Sequence, residues 1–378
     1  MYNDMQEHHL KKTIIMIAGE VSGDIHGSRL VTALKKLNPD LDIRGIGGNL
    51  MEKEGFKPIF HIKQMAFLGL GEIIRHLPFI KKVFRKMTKL VRSTQPAAVI
   101  LIDYPGFNLR FAKKVHKMGV PVIYYISPQL WAWGRKRVYK IQKYVDKMLV
   151  IFPFEKNFYN HYGISADYVG HPLADHHFNH VKPKITQKNN LTLGLLPGSR
   201  HQELENLLPD MIKTVELLNE SAKIERVLLL KVNTISDEVY FKYIGDHSFI
   251  TLHSGTSESF YNQLDVALVS SGTATLETGY FGVPMVIVYR VNPITWFIAR
   301  LLVKLEVIGL VNIVAGEKIA KELLQNNFQP HLAKIELERL LDPEVNRAVR
   351  KKLAVIKKKL GLPGTAGRAA QIIYNYIA

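Results

Sequence analysis

Asp103 closes the apolar run Ala98-Val99-Ile100-Leu101-Ile102 and opens Tyr104-Pro105-Gly106-Phe107-Asn108. A carboxylate at the end of a buried strand, on a proline–glycine turn, is placed to take a proton from a substrate hydroxyl. The other reading is an aspartate that caps the helix starting near Asn108; Asn108 serves that cap better and leaves Asp103 for chemistry. A second polar cluster follows the run Ile14-Ile15-Met16-Ile17, in Ala18-Gly19-Glu20-Val21-Ser22-Gly23-Asp24-Ile25-His26-Gly27. Glu20, Ser22, Asp24 and His26 fall at the carboxyl end of that strand, where open α/β sheets bind ligands. Glycines at 19, 23 and 27 match neither a Walker loop nor Gly-x-Gly-x-x-Gly. Their spacing of four also suits a helix packed closely on its sheet.

The second half of the chain carries a different pair of loops. Leu195-Leu196-Pro197-Gly198-Ser199-Arg200 ends one apolar run, with Glu203 at the start of the next helix. Gly198 and Ser199 allow close backbone approach, and the Arg200 guanidinium fork suits a pyrophosphate. Val266-Ala267-Leu268-Val269 leads into Ser270-Ser271-Gly272-Thr273-Ala274-Thr275-Leu276-Glu277. A helix opened by Ser271, Gly272 and Thr273 presents unpaired N–H groups and a positive dipole end, the setting that holds phosphate. Glu277, one turn into that helix, is placed to accept from a ribose hydroxyl pair. The bland alternative is a surface arginine on a proline–glycine turn; two such loops in one half favour phosphate.

Ser127-Pro128-Gln129-Leu130-Trp131-Ala132-Trp133 holds two of the three tryptophans, just past another strand. Those rings either fill core or form a sugar or acyl platform. His171, His176, His177 and His180 lack carboxylates at metal spacings and read as a solvated cluster, so no metal is expected. Two basic, apolar stretches, Phe67–Arg92 and Pro293–Leu305, are candidates for contact with an anionic membrane surface, although most such helices pack on a sheet.

The elements that position these groups alternate. Strands are expected at Thr13–Ala18, Ala98–Ile102, Val122–Ile126, Met148–Ile151 and Tyr168–Val169, separated by amphipathic helices; the pattern resumes with Leu191–Leu196, Arg226–Lys231, Phe249–Leu252, Val266–Val269 and Met285–Val288. Short buried strands with helical crossovers make parallel sheets. The expected fold is therefore α/β, with two Rossmann-like, doubly wound domains facing a cleft and a helical C-terminal segment. The expected boundaries are 1–172, a linker at 173–190, 191–340, and helices at 341–378 that either pack on the N-terminal domain or are exchanged in a dimer. At 378 residues two cores are the prior. There are no cysteines, which excludes thiolate chemistry and fits a reducing compartment. Met1–Lys12 lacks an apolar signal core, and Met118–Gly134, the longest uncharged stretch, is broken by Pro121 and Pro128. Against 33 Asp and Glu stand 51 Lys and Arg, a net charge of +18, which favours an anionic partner.

Together these residues resemble the lipid A disaccharide synthases, inverting glycosyltransferases of the GT-B type. The resemblance spans almost the whole chain. It is carried by Ala18-Gly19-Glu20-x-Ser22-Gly23-Asp24, Gly45-x-Gly47-Gly48, Gly69-x-x-Glu72-x-x-x-His76-Leu77-Pro78, Ile102-Asp103-x-Pro105-x-Phe107-Asn108 and Ser127-Pro128-x-x-Trp131-Ala132-Trp133. It continues through Pro153-Phe154-Glu155-x-x-Phe158-Tyr159, Gly170-His171-Pro172-Leu173-Ala174-Asp175, Leu196-Pro197-Gly198-Ser199-Arg200, Ser271-Gly272-Thr273-Ala274-Thr275-Leu276-Glu277, Tyr289-Arg290 and Asn312-x-x-Ala315-Gly316. It implies that UDP-2,3-diacylglucosamine and 2,3-diacylglucosamine 1-phosphate give the β-1,6-linked disaccharide 1-phosphate and UDP. It places the catalytic aspartate at Asp103, and nucleotide contacts at Gly198, Ser199, Arg200, the loop of Ser271, Gly272, Thr273, Thr275 and Glu277, and Asn312. Glu20, Ser22, Gly23, Asp24, Ser127, Trp131 and Trp133 fall on the sugar side. No metal or cofactor is implied. A cytoplasmic enzyme, peripheral to the inner membrane of a Gram-negative bacterium, with a C-terminal segment exchangeable in a homodimer, is implied. One departure is Gly106, where many members carry a second aspartate.

Two other readings stand beside this one. A GT-B enzyme using UDP-GlcNAc, a peptidoglycan glucosaminyltransferase or an epimerase, shares the Glu277 loop and the Gly170-His171-Pro172 hinge, but is not expected to show the Ser127–Trp133 or Ala18–Asp24 runs. A basic nucleic-acid-binding protein accounts for the charge but not for Asp103 and two phosphate loops, and no nucleic-acid motif spacing is present.

Overall fold

The computed structural model describes residues 13–65, 77–175, 191–220, 224–232, 235–292, 296 and 306–378. It divides into two compact units, Met1–His176 with Leu362–Ala378, and His177–Gly361.

The first unit is built on seven parallel strands: β1 (Thr13–Ala18), β2 (Asp42–Gly47), β3 (Lys57–His61), β4 (Ala98–Ile102), β5 (Val122–Tyr125), β6 (Lys147–Val150) and β7 (Ala166–Tyr168). Their spatial order is β3-β2-β1-β4-β5-β6-β7. The helices are α1 (Val21–Leu37), α2 (Asn49–Lys53), α3 (Leu77–Thr94), α4 (Pro105–His116), α5 (Val138–Tyr144) and α6 (Pro153–His161). Strands β1, β4 and β5 are covered on both faces and read as unbroken apolar runs. Ile15, Ile17, Val99, Leu101, Val122 and Tyr124 share one core cluster with Val83, Met87 and Val91 of α3 and Phe107 and Phe111 of α4.

The second unit repeats the plan. Strands β8 (Leu191–Leu196), β9 (Ile224–Leu230), β10 (Ile250–His253), β11 (Val266–Ser270), β12 (Met285–Tyr289) and β13 (Lys321–Leu324) run parallel in the order β10-β9-β8-β11-β12-β13. Its helices are α7 (His201–Asn219), α8 (Asp237–Ile244), α9 (Ser257–Tyr261), α10 (Thr273–Tyr280), α11 (Leu310–Ala315), α12 (Pro330–Leu341) and α13 (Pro343–Leu360). In each sheet the chain winds outward from the first strand, then reverses, so the switch points lie between β1 and β4 and between β8 and β11. Loops diverge there at the carboxyl ends of the strands and leave a crevice for a ligand.

Three strands, β2, β3 and β13, were not expected. β2 and β3 lie toward one edge and β13 at the other edge of their sheets. They mix charge into short sequences, Asp-Ile-Arg-Gly-Ile-Gly for β2 and Lys-Glu-Leu-Leu for β13. On β2 the charges pair: Asp42 with Arg44, and with Lys57 of β3 at 2.9 Å.

The expected boundaries also change. The helical segment 341–378 is split between the units. α13 stays with the second: the Arg350 guanidinium donates to the carbonyls of Gly282, Leu264 and Asp265, and Asn346 donates to Asp265 and Leu340. The last helix, α14 (Thr365–Ile377), packs on α1 in the first unit and buries Ala369, Ala370 and Ile373. Residues 173–175, assigned to the linker, form a tight turn (Pro172–Asp175) of the first unit, and 176–190 lie outside the described residues. Asp175 accepts from the N–H groups of Gly364 (2.8 Å) and Thr365 (2.9 Å), capping α14, while Arg368 donates to the carbonyls of Val169, Pro363 and Leu362.

α3 shows how the basic stretch is divided. Val83, Met87 and Val91 are buried at helical spacing, while Lys81, Lys82, Arg85, Lys86, Lys89 and Arg92 are exposed on the other side. Residues 67–76 of that stretch, and all of 293–305 except Trp296, lie outside the described residues. Among the described residues no helix is long and apolar enough to cross a membrane.

The cap at Asp175 ties α14 to the first unit through two backbone N–H groups. Asp175→Ala is expected to cost about 1 kcal/mol, the usual value of a lost N-cap. Amide exchange should accelerate across 364–377 before the rest of the first sheet. Unchanged exchange in α14 would show that Arg368 and apolar packing hold the helix without the cap.

Candidate functional site

At the first switch point the loops after β1 and β4 touch. The position of a Cβ on Gly19 lies 2.3 Å from the Tyr104 ring, so only glycine admits that ring. Asp103 and Tyr104 both adopt left-handed backbone conformations, with φ of 42° and 47°, and Ile126, at the end of β5, has φ of 62°. Among the described residues these are three of five non-glycine positions with positive φ, and all three sit on one sheet edge. Each such residue costs on the order of 1–3 kcal/mol and persists only where its surroundings fix it. The Asp103 carbonyl accepts from Asn108 Nδ2 (2.7 Å) and from the Tyr124 hydroxyl (2.5 Å).

Burial raises the Asp103 carboxyl to a pKa of about 6, and the nearby charge of Glu20 adds to the shift; an N–H from Tyr104 opposes it. The group is therefore an anion at neutral pH with more affinity for a proton than an ordinary aspartate, which suits a general base. Asn108 is not the expected helix cap. α4 begins at Pro105, and the buried Asn108 amide reaches back to the carbonyls of Ile102 and Asp103.

The other first-unit candidates separate by burial. Glu20 and Ser22 are exposed at the start of α1, where Glu20 is the N-cap and makes no side-chain cap bond. Asp24 and Gly23 are interior. Asp24 accepts from the N–H groups of Gly48, Leu50 and Met51 and thereby caps α2, and Gly23 lies against Ala18. The close-packing reading of the glycine spacing therefore holds at Gly23, and at Gly27, which lies against Met51. Ser127 and Trp131 are also interior, which corrects their placement on the sugar side. The Ser127 hydroxyl lies 2.6 Å from that of Tyr159, and Trp131 Nε1 donates to Glu155 Oε1 (3.2 Å). Trp133 is 39% exposed with the Arg137 guanidinium 4.7 Å above its ring, so it is the exposed ring of the pair.

Glu155 had no assigned role. Its carboxylate accepts from the N–H groups of Ile151 and Phe152 and from Trp131, and burial pushes its pKa up to about 7 against those bonds. His171 is not part of a solvated cluster. Its ring lies 4.9 Å from Phe152, its Nδ1 accepts from Leu173 N, and burial, then the charge of His26, lower its pKa to about 3. His176, His177 and His180 lie outside the described residues.

In the second unit the loops after β8 and β11 flank the switch point. Gly198 has φ of 118°, and the position of a Cβ there lies 2.2 Å from the Glu203 carboxylate. Glu203 accepts from Ser199 N (2.7 Å), shaping the turn. Arg200 is 73% exposed and lies 4.0 Å from Glu203 in a loose pair, so its fork is available to a ligand. Gly272 and Thr273 are exposed; Gly272 is the N-cap of α10, makes no side-chain cap bond, and has open space above its Cα. Thr275 is buried and donates to the Gly272 carbonyl (2.8 Å), bracing the loop from within. Burial raises the pKa of Glu277, while hydrogen bonds from Ser257 and Tyr261 oppose the shift.

Asn312 is placed differently from the expectation. It is 1% exposed; its Nδ2 donates to Ala320 O and Glu322 Oε1, and its Oδ1 accepts from Ala320 N. Glu322 in turn accepts from the N–H groups of Ile308 and Gly309, and the Ile308 carbonyl accepts from Ser271 Oγ (3.4 Å). Asn312 thus braces the Ser271 loop through Glu322. Glu322 was missed because β13 was missed; its signal was an acidic residue in a short apolar run.

The lipid-A-disaccharide synthetase family model matches residues 14–370. The lipid-A-disaccharide synthase of Trichlorobacter lovleyi is 39% identical over 97% of this chain and 98% of its own length, and that of Syntrophus aciditrophicus is 39% identical with the same coverage. Among solved structures, the UDP-GlcNAc 2-epimerase of Neisseria meningitidis bound to UDP-GlcNAc superposes with a TM-score of 0.63 at 12% identity, over 96% of this chain and 99% of that one. The Staphylococcus aureus MnaA–UDP structure gives 0.64 at 16% identity, over 97% of each chain. Those two likenesses establish the fold, two Rossmann-like domains of the GT-B kind, and the sequence matches favour neither alternative reading. The chain belongs to the lipid-A-disaccharide synthase family of glycosyltransferases.

Proposed function

We propose that Asp103 is the general base of this glycosyl transfer and that the second unit holds the leaving nucleotide. The reaction of the family moves 2,3-diacylglucosamine from its UDP ester to 2,3-diacylglucosamine 1-phosphate. Asp103 takes the proton of the acceptor 6-hydroxyl as that oxygen attacks the anomeric carbon. The bond from that carbon to the pyrophosphate oxygen breaks from the opposite face, and UDP leaves with the electron pair. Arg200 and the N–H groups that open α7 and α10 stabilise the charge that develops on the pyrophosphate. Glu277 serves the ribose, and Glu20, Ser22 and Trp133 serve the sugar side. The observation that carries the assignment is a partly sheltered, proton-avid carboxylate on a strained turn at the switch point.

Asp103→Asn is expected to leave UDP affinity intact and lower kcat at least about a hundredfold. The base acts only when deprotonated, so kcat should fall as pH drops through about 6. Glu20→Gln removes a negative neighbour, lowers the Asp103 pKa, and should move this acid limb to lower pH. Turnover of Asp103→Asn within a few-fold of wild type would overturn the base.

Arg200→Ala should weaken UDP binding by about 1.5–3 kcal/mol, the range for a hydrogen bond to a charged group. Calorimetry giving equal affinities for variant and wild type would remove Arg200 from the nucleotide site.

Acyl-chain substrates reside in a bilayer, and the basic face of α3 supplies the charge to dock on an anionic leaflet. Each Lys or Arg near such a surface contributes about 1 kcal/mol. This supports a peripheral enzyme at the inner membrane. Replacing Lys81, Lys82, Arg85 and Lys86 with Gln should reduce co-sedimentation with anionic vesicles and activity on vesicle-borne substrate, and leave activity in detergent unchanged. Equal pelleting of variant and wild type would move the docking surface elsewhere.

A further inference from the structure

Two buried side chains that touch no exposed surface converge on one backbone carbonyl, that of Asp103. Tyr124 belongs to β5 and is fully buried beneath the catalytic edge; its hydroxyl donates to the Asp103 carbonyl at 2.5 Å. Asn108 lies in α4, also fully buried; its Nδ2 donates to the same carbonyl at 2.7 Å and to that of Ile102 at 3.2 Å. Asn108 Oδ1 is buried with no hydrogen-bond partner. A core that retains an amide with an unsatisfied oxygen retains it for its N–H groups.

The backbone here needs such help. Tyr104, the N-cap of α4, has φ of 47° and ψ of 57°, and its side chain makes no cap bond. N-cap residues ordinarily adopt extended backbone and are Ser, Thr, Asp or Asn. Aspartate tolerates the left-handed region, but tyrosine does not favour it, and two such residues in succession do not hold that shape by local preference. An Asp103 carbonyl turned inward meets the two donors; turned outward, it abandons both in the core.

We propose that Asn108 and Tyr124 are positioning residues of the glycosyl transfer, clamping the Asp103 carbonyl so that the left-handed turn aims the carboxylate at the acceptor hydroxyl. This rests on the assignment of Asp103 as the base. Neither residue touches substrate; both act through the backbone of the residue that does. Loss of a clamp frees the turn to relax toward ordinary backbone, which lowers the fraction of enzyme with the carboxylate in place and exposes that carboxylate to water. Among the described residues the ionisable groups that bear on Asp103 are Glu20, on the loop after β1, and Tyr124, on β5.

Tyr124→Phe keeps the ring in the core and removes the clamp hydroxyl alone. It is expected to lower kcat about tenfold or more, leave KM for the UDP-sugar within about twofold, and shift the acid limb of kcat to lower pH as Asp103 becomes better solvated. Asn108→Ala should give the same split between kcat and KM. Tyr125→Phe, next along β5 and equally buried, removes a core phenol that does not reach Asp103 and should keep kcat within about twofold. Equal slowing by Tyr125→Phe would assign the effect to general loosening of the core and overturn the clamp. If Asp103→Asn is inactive while Tyr124→Phe turns over like wild type with an unmoved acid limb, the clamp falls and the base stands. If Asp103→Asn retains turnover, the base and the clamp fall together.

Discussion

The turn at Asp103 and Tyr104 depends on hydrogen bonds that come from below it. A parallel sheet ends in strands whose last carbonyls have no ladder partner, and the chain must leave the edge at once to start a helix. After β4 it does so through two left-handed residues, and the carbonyl between them points into the core toward Tyr124 and Asn108. Tyr124 is set by the sheet register and Asn108 by the first turn of α4, so strand and helix together hold the turn. Phe107 and Phe111, stacked 5.7 Å apart on the same helix, pack α4 onto that face of the sheet. Gly19 completes the arrangement by leaving room for the Tyr104 ring.

The second unit repeats the strand order of the first over six strands, and its proposed task is different chemistry. Its loops carry Gly198 and Gly272 at the switch point, with exposed backbone beside them, and strain is confined to a glycine at 198. The supporting groups, Glu203 for one loop, Thr275 and the Glu322 chain for the other, hold backbone in place and leave N–H groups and Arg200 facing out. Binding a pyrophosphate requires many modest donors in fixed places. Removing a proton from a hydroxyl requires one group at one angle. The two sheet edges differ in the way those two proposed tasks differ.

Strands covered on both faces were legible because burial forces a continuous apolar run, as in β1, β4, β8 and β11. β2, β3 and β13 were not, because strands at an edge or next to one tolerate the Asp42–Arg44–Lys57 charges and Glu322. Among candidate residues, the places of Asp103 at a strand end and of Arg200 on an exposed turn were legible because strand ends and proline–glycine turns mark exposed backbone. Ser127 and Trp131 were not separable from Trp133 by type or spacing; what separates them is Glu155, twenty-four residues beyond Trp131, which binds the Trp131 N–H in the core. Asn108 was misread because asparagine near a helix start ordinarily caps it. Its role depends on Tyr104 having already turned the chain left-handed, which no local pattern announces.

Among its described residues the first unit holds two carboxyls with raised pKa values, Asp103 at about 6 and Glu155 at about 7, and burial is the leading cause in both. Their surroundings give them opposite uses. Glu155 is closed in by Ile151 N, Phe152 N and Trp131 Nε1, three to twenty-four residues away in sequence, and its oxygens are engaged with protein donors. A proton gained or lost there changes how firmly the Trp131 loop is held. Asp103 has one opposing N–H, from Tyr104, and a like charge beside it on Glu20. Among the described residues nothing compensates its anion as fully, which supports its proposed role as the base. The chemistry follows from which carboxylate the fold leaves incompletely satisfied.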